Sequence, residues 1–270
     1  MEVFQQAVRQ YWAQHPGFAA EARAEGVDVD GDQLPVKAVL FDMDGVLFDS
    51  MPAHAQSWAR VCEEEGLPMT EVEVFLNEGR TAFSTINMLT QRHHHRDTTP
   101  EEVERIYARK CEAFNAFPEA PKMKGAEDTL RQVKGDGLVI VVVTGSGQAS
   151  LLSRLTTHYP GYFAPERVVS SKDVKHGKPH PEPYLMGLDK AAAALGLDAP
   201  LRPWEVVVVE NAPLGVRAAV AAEIFTIVAN TGPLPETALT DERANLLFPS
   251  MVALAENWPL LRQCFGRSEK

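Results

Sequence analysis

The residues best suited to chemistry are two aspartates two positions apart, in Phe41-Asp42-Met43-Asp44-Gly45. They follow an apolar run, and Gly45 lets the chain turn sharply behind them. Such a pair can divide labour. One carboxylate attacks phosphorus and forms an aspartyl phosphate, while the other protonates the leaving oxygen and then activates water. An anion attacking an anionic phosphate needs a cation beside it, which points to Mg²⁺. The same two aspartates also read as a capped, solvated turn, so three further positions carry the weight. Thr144-Gly145-Ser146-Gly147 offers a hydroxyl and backbone N–H groups to one phosphate, although Gly-Ser-Gly turns are common. Lys178, in Lys175-His176-Gly177-Lys178-Pro179, could neutralise the nucleophile and the phosphoryl oxygens, although loop lysines are usually solvated. Glu210-Asn211 supplies hard oxygen donors of the kind Mg²⁺ prefers.

The elements that must position these groups are short and Val-rich. Val36–Phe41, Leu138–Val143, Arg167–Val169, Val206–Val209 and Phe225–Val228 predict strands buried on both faces. Helical patterns at Gln148–Thr157, Pro183–Leu195 and Leu214–Ala222 alternate with them, as in an α/β doubly wound parallel sheet. Ligands of such sheets sit at the strands' carboxyl ends, where Asp42, Thr144 and Glu210-Asn211 all fall. The stretch from Pro52 to Ala120 breaks the alternation. It offers helices at Ala53–Glu65, Thr70–Leu76, Ala82–Gln91 and Pro100–Phe117 and no strand, so it reads as a helical insert after the first strand. The expected organisation is a core of residues 36–51 and 121–270, an all-α cap of residues 52–120, and an N-terminal segment 1–35 made of one helix, Val3–Gln14, and an acidic linker.

Several residues have plainer readings. Trp58, Phe75, Phe83 and Phe114 are expected to form the cap's small core. Glu101, Glu102 and Glu104 followed by Arg105, Arg109 and Lys110 match a helix dipole and read as a solvated face. His93-His94-His95 point about 100° apart on a helix and cannot all face one ion. With 26 Lys and Arg against 37 Asp and Glu, the formal charge is −11, which disfavours nucleic acid as a partner. No apolar run approaches the roughly 20 residues of a membrane span. The first residues have no signal-like apolar region, so a cytoplasmic location is the default expectation. Cys62, Cys111 and Cys264 have no metal-ligand or disulfide spacing and read as reduced thiols. Oligomeric state is open, a monomer being compatible with everything above.

Together these motifs resemble the haloacid dehalogenase (HAD) superfamily, in its β-phosphoglucomutase-like branch with a helical cap. The resemblance runs from about Lys37 to Val252, with Asp42-x-Asp44, Thr144, Lys178 and Glu210-Asn211 in order. It implies Asp42 as nucleophile, Asp44 as general acid/base, and Thr144 and Lys178 holding the phosphoryl group. Mg²⁺ would be bound by Asp42, the Asp44 carbonyl, Glu210 and Asn211, and His54 falls where mutase-like members carry a hinge histidine. The sequence also departs from that pattern. The cap segment Asn77-Glu78-Gly79-Arg80 has Glu78 in place of a lysine that holds a second phosphate, with Arg80 as a partial replacement. The substrate loop Thr144-Gly145-Ser146-Gly147-Gln148 lacks the mutase lysine. Mutase relatives pair the glutamate with Asp where this chain has Asn211, and Glu78 is expected to restore the charge by reaching the metal from the cap. The expectation is a Mg²⁺-dependent phosphohydrolase of a small phosphorylated substrate, pyrophosphate or a small phosphomonoester. The alternatives are a β-phosphoglucomutase interconverting hexose 1- and 6-phosphates, and a non-catalytic phosphometabolite-binding protein.

Overall fold

The computed structural model describes residues 1–147 and 151–266. Six strands, β1 (Ala38–Phe41), β2 (Val139–Val143), β3 (Val168–Val169), β4 (Val206–Glu210), β5 (Phe225–Ala229) and β6 (Leu246–Phe248), form one parallel sheet in the order β3-β2-β1-β4-β5-β6. The side-chain alternation of each strand divides the core in two. Val39, Phe41, Val142, Val207 and Ile227 face one layer of helices, while Ala38, Leu40, Val141, Val143 and Val208 face the other. Burial on both faces explains why β1, β2 and β4 read as continuous apolar runs. Strand β6 lay outside the sequence expectation. Its three residues, Leu-Leu-Phe, pair only with β5, and so short a run carries no period that separates strand from helix.

Register positions the chemistry. Phe41 lies opposite Val142 on one side and Val209 on the other, so Asp42, Thr144 and Glu210 leave the sheet at one level. Asp42 N–H still donates to Val209 O at 3.0 Å, and Thr144 N–H to Val169 O at 2.9 Å, so the first residue past each strand stays tied to the sheet.

The N-terminal segment corrects the expected linker. Pro16 opens a second helix, Pro16–Ala24, because proline fits the first helical turn as readily as it ends a preceding helix. The helix Glu2–Gln14 and its successor cover the first face of the sheet. Tyr11 packs edge-on against Phe225 with centroids 5.7 Å apart, Phe4 meets Phe248 at 6.0 Å, and Phe18 meets Trp204 at 4.7 Å. Past them, Leu34 forms a parallel bridge with Phe265.

Between β1 and the helix Ala126–Gly135 that leads into β2, the chain forms four helices, Met51–Glu64, Glu71–Leu76, Ala82–His94 and Pro100–Asn115. They close on their own apolar cluster, including Ala55, Val61, Val74, Ile86, Leu89 and Ile106. Capping boxes at Thr70/Glu73 and Thr99/Glu102 start two of them, satisfying N–H groups that the first turn leaves open. Both crossings to the sheet domain run side by side. Phe48 and Lys122 form an antiparallel bridge, flanked by Asp49 N–H to Pro121 O at 3.0 Å and Met123 N–H to Leu47 O at 2.8 Å. Trp58 and Phe75 pack against the cap cluster, but Phe83 is 55% exposed and Phe114 stacks on His54 with centroids 4.3 Å apart. Those two therefore leave the expected cap core. His93 and His94 sit exposed near the end of their helix, as solvated residues do. Among the described residues, no helix is long and apolar enough to cross a membrane.

Candidate active site

At the end of β1, Asp42 is held from one side. Lys178 Nζ donates to Asp42 Oδ1 at 2.6 Å, to Glu210 Oε1 at 2.6 Å and to Val143 O at 3.1 Å, which uses all three ammonium protons. Burial and the negative charges of Glu210 and Asp44 push the Asp42 carboxyl well above its usual range, against the pull of Lys178. Lys178 is raised above its ordinary value, the two carboxylates overcoming the cost of burial. It is the reverse of a solvated loop lysine, at 2% exposure.

Asp44 is gripped separately. Burial opposes its ionisation, but His54, the Ser50 hydroxyl and Lys110 together overcome it and hold the carboxyl at about 2. Ser50 Oγ donates to Asp44 Oδ1 at 2.5 Å, and His54 Nε2 lies 3.3 Å from the same oxygen. On the far side of the ring, Lys110 Nζ lies 2.7 Å from His54 Nδ1. A lysine ammonium only donates, so Nδ1 must be the bare nitrogen and Nε2–H must face Asp44. Burial first, and Lys110 second, lower the histidine's pKa, and burial lowers that of Lys110.

Lys110 corrects the reading of its helix as a wholly solvated face. Arg105 and Arg109 do face outward, on Glu65 and Glu64, but Lys110 is 2% exposed. It lies over the rings of Trp58 and Phe114, 5.5 and 4.9 Å from their centroids.

The cap sits closed on the sheet domain. An atom in the Cβ position of Gly145 would lie 2.7 Å from Gly79 O, and one on Gly79, whose φ is +90°, would lie 2.8 Å from Lys178 Cδ. Only glycine on both sides permits this approach. Tyr107 of the cap lines the same space, its phenol pushed up by burial. What remains is a partly open cavity of about 40 Å³ bordered by Asp44, His54, Glu78, Arg80, Lys110 and Ser146, with Trp58, Met69 and Val74 also lining it. That is room for a few waters. Glu78 is pushed up to about 8 by burial and then by the charge of Asp44. Arg80 turns back into the cap, donating to Asn77 Oδ1 and Ser84 Oγ at 3.0 Å each. Thr144 Oγ1 accepts from Ser146 N–H at 3.0 Å, tightening the loop. Gln148 lies outside the described residues.

Among the described residues, two buried side-chain oxygens have no hydrogen-bond partner, Asp42 Oδ2 and Asn211 Oδ1. An unpaired buried acceptor is costly, and two past the ends of adjacent strands are of the kind a hard divalent cation would satisfy. Among the described residues no three His, Cys, Asp or Glu side chains converge as a ready-made metal site, so the donors are mixed, one carboxylate and one amide. Glu210 departs from the expected ligand set. Its Oε1 accepts from Lys178 and Tyr184 at 2.6 and 2.5 Å, and Oε2 from Asn211 N–H and Ala212 N–H at 2.9 and 3.2 Å. With four donors on a carboxylate, no lone pair is left for an ion.

The sites that sequence reasoning missed are Lys110, Ser50, Tyr107 and Tyr184. Ser50 stands beside the aspartate motif and was within reach of a pattern argument, whereas the other three depend on tertiary packing.

Comparison with known proteins gives consistent results. Residues 36–223 match the family model described as haloacid dehalogenase-like hydrolase. Hexitol phosphatase A of Escherichia coli (strain K12) is 34% identical over 196 residues, 72% of this chain and 83% of that protein. The phosphorylated carbohydrates phosphatase of Thermotoga maritima is 31% identical over 193 residues, 71% of this chain and 84% of that one. Among solved structures, one named "Putative beta-phosphoglucomutase from Bacteroides vulgatus" superposes with a TM-score of 0.85 at 45% identity, covering 97% of this chain and 98% of its own.

Proposed function

We propose that this chain, which belongs to the haloacid dehalogenase-like hydrolases, is a Mg²⁺-dependent phosphatase of small phosphomonoesters that works through an aspartyl phosphate on Asp42. One observation carries the reading: Asp42 is fixed through Oδ1 by Lys178 while its Oδ2, past the end of β1, and Asn211 Oδ1, past the end of the adjacent β4, both stand unpaired. Mg²⁺ held by Asp42 Oδ2, the Asp44 main-chain carbonyl and Asn211 Oδ1 would neutralise phosphoryl oxygens as they approach the nucleophile. Glu78 would reach it from the cap, returning the charge that Asn211 lacks.

Asp42 Oδ1 attacks phosphorus and the ester P–O bond breaks toward the leaving oxygen. Lys178 then faces the phosphoryl oxygens, and Thr144 with the Gly145 and Ser146 main chain lines their other side. Asp44 passes a proton to the leaving oxygen, then accepts one from the water that attacks the acyl phosphate. Free Asp44 sits at about 2, so it must gain that proton as substrate arrives; an incoming phosphate dianion raises the pKa of a neighbouring carboxyl. The His54 Nε2–H and Ser50 hydroxyl keep its Oδ1 in place throughout.

The small cavity and its polar border favour a short leaving group, and the similarity to a hexitol phosphatase and a phosphorylated carbohydrates phosphatase favours a polyol or sugar. Glu78 stands where a second phosphate would need a cation, which supports hydrolysis over mutase isomerisation. The test is Mg²⁺-dependent phosphate release from polyol phosphates, hexose 1- and 6-phosphates and pyrophosphate, with Asp42→Asn as blank. Release from the polyol and sugar esters, lost in the blank, is expected. Isomerisation of glucose 1-phosphate with little release would make the chain a mutase. Silence across the panel, with no phosphoenzyme trapped, would make it a binding protein.

A further inference from the structure

Tyr184 takes no part in the chemistry above, yet it is buried against it. It lies in the first turn of the helix Glu182–Ala194, just past the Lys178 loop, with 0% exposure. A phenol so buried needs a partner for its hydroxyl, and the partner is Glu210 Oε1 at 2.5 Å. That same oxygen takes Lys178 Nζ at 2.6 Å. Lys178 also lies 5.0 Å from the centroid of the Tyr184 ring. The ring is therefore a wall for the lysine, and the hydroxyl is a rival donor for the carboxylate the lysine touches.

The lysine is shared between two carboxylates at equal distance, 2.6 Å to Asp42 Oδ1 and 2.6 Å to Glu210 Oε1. Equal sharing between two anions is not a stable default. The anion with fewer other donors draws the cation harder. Glu210 is quenched by three other donors, two main-chain N–H groups and the phenol, whereas for Asp42 Oδ1 Lys178 is the side-chain donor that holds it. The main-chain donors cannot be altered without moving the strand, so the phenol is the adjustable part of the balance.

We propose that Tyr184 is a positioning residue: by donating to Glu210 Oε1 it keeps Lys178 from being drawn off the nucleophile, and so sets the geometry of Asp42 without touching substrate. This rests on the assignment of Asp42 and Lys178 above. Tyr184→Phe keeps the ring and its packing and removes only the donor. The variant is expected to lose about tenfold in kcat with KM within twofold, at a melting temperature close to the wild type's. In a double-mutant cycle with Glu210→Gln, the Tyr184→Phe effect should vanish, because the pair acts as one unit. An unchanged kcat, or the same tenfold loss in the Glu210→Gln background, overturns the proposal. A crystal structure of Tyr184→Phe reads the lysine without turnover. Separation of Lys178 Nζ from Asp42 Oδ1 beyond hydrogen-bonding distance supports the role, and an undisturbed contact refutes it. That arm holds even if the wild type hydrolyses none of the phosphoesters, an outcome that would count against the assigned function alone.

Discussion

Replacing Glu78 by Gln tests the electrostatics of the closed cap. The carboxyl stands at about 8 instead of its ordinary 4.5, which corresponds to about 5 kcal/mol held against its ionised form. Glu78 keeps some contact with solvent, and screening reduces the figure to about 2 kcal/mol. Below pH 4.5 the group is protonated in both folded and unfolded chains, so the substitution is silent. As pH rises from 4.5 toward 8 the unfolded chain ionises first, and the wild type loses stability that Glu78→Gln keeps. Above pH 8 the gap is constant. Thermal melts in EDTA should show equal midpoints near pH 4.5 and a variant advantage of roughly 4–8 °C at pH 9, by the scaling for a chain of this size. Mg²⁺ should reverse the order at high pH, since the wild type alone would gain the Glu78 contact. A midpoint difference that stays flat across pH would refute the buried, charge-opposed state of Glu78. Equal stabilisation of both proteins by Mg²⁺ would show that Glu78 does not reach the ion.

Lys110→Met removes a buried cation and its tether to His54; stability measured in urea should stay within about 1 kcal/mol, because the cost of burying the charge goes with it, while kcat falls about tenfold. Full activity would mean that the histidine is fixed without the lysine. Gly145→Ala places a methyl 2.7 Å from Gly79 O and should hold the cap open, lowering kcat by about a hundredfold and enlarging the radius of gyration in solution scattering, with melting unaltered. Asn211→Asp adds a negative charge at an unpaired buried oxygen and should lower the Mg²⁺ concentration for half-maximal activity about tenfold, as followed by metal titration.

The sheet and the positions of Asp42, Asp44, Thr144 and Glu210-Asn211 were legible in the sequence because each sits where a strand ends, and strand ends show in local apolar pattern; Lys178, on the loop after β3, was legible only from its place in the order of motifs. The parallel register then brings them together without further information. Lys110 was hidden for the opposite reason. Its neighbours Arg105 and Arg109 pair outward with Glu65 and Glu64, so the local pattern reads as surface, and only the packing of its helix on Met51–Glu64 turns this one cation inward. Tyr184 reads as an apolar helix position, since its hydroxyl's partner is on another strand. The second N-terminal helix was missed because Pro16 and Gly17 carry the marks of a stop as well as of a start. Glu210 shows a limit of another kind: residue type announces an oxygen donor, but only the count of donors already on it decides what it can still hold.

The bridge between Leu34 and Phe265, with Leu34 N–H on Cys264 O at 2.9 Å and Gly266 N–H on Leu34 O at 2.8 Å, joins segments more than two hundred residues apart. During synthesis the first of them leaves the ribosome long before its partner exists. The N-terminal helices must therefore wait with Phe4, Tyr11 and Phe18 uncovered until β5, Trp204 and the last strand have formed beneath them. Their docking is a late, high-contact-order step, and for that interval the nascent chain presents an adhesive aromatic stripe that a chaperone could shield.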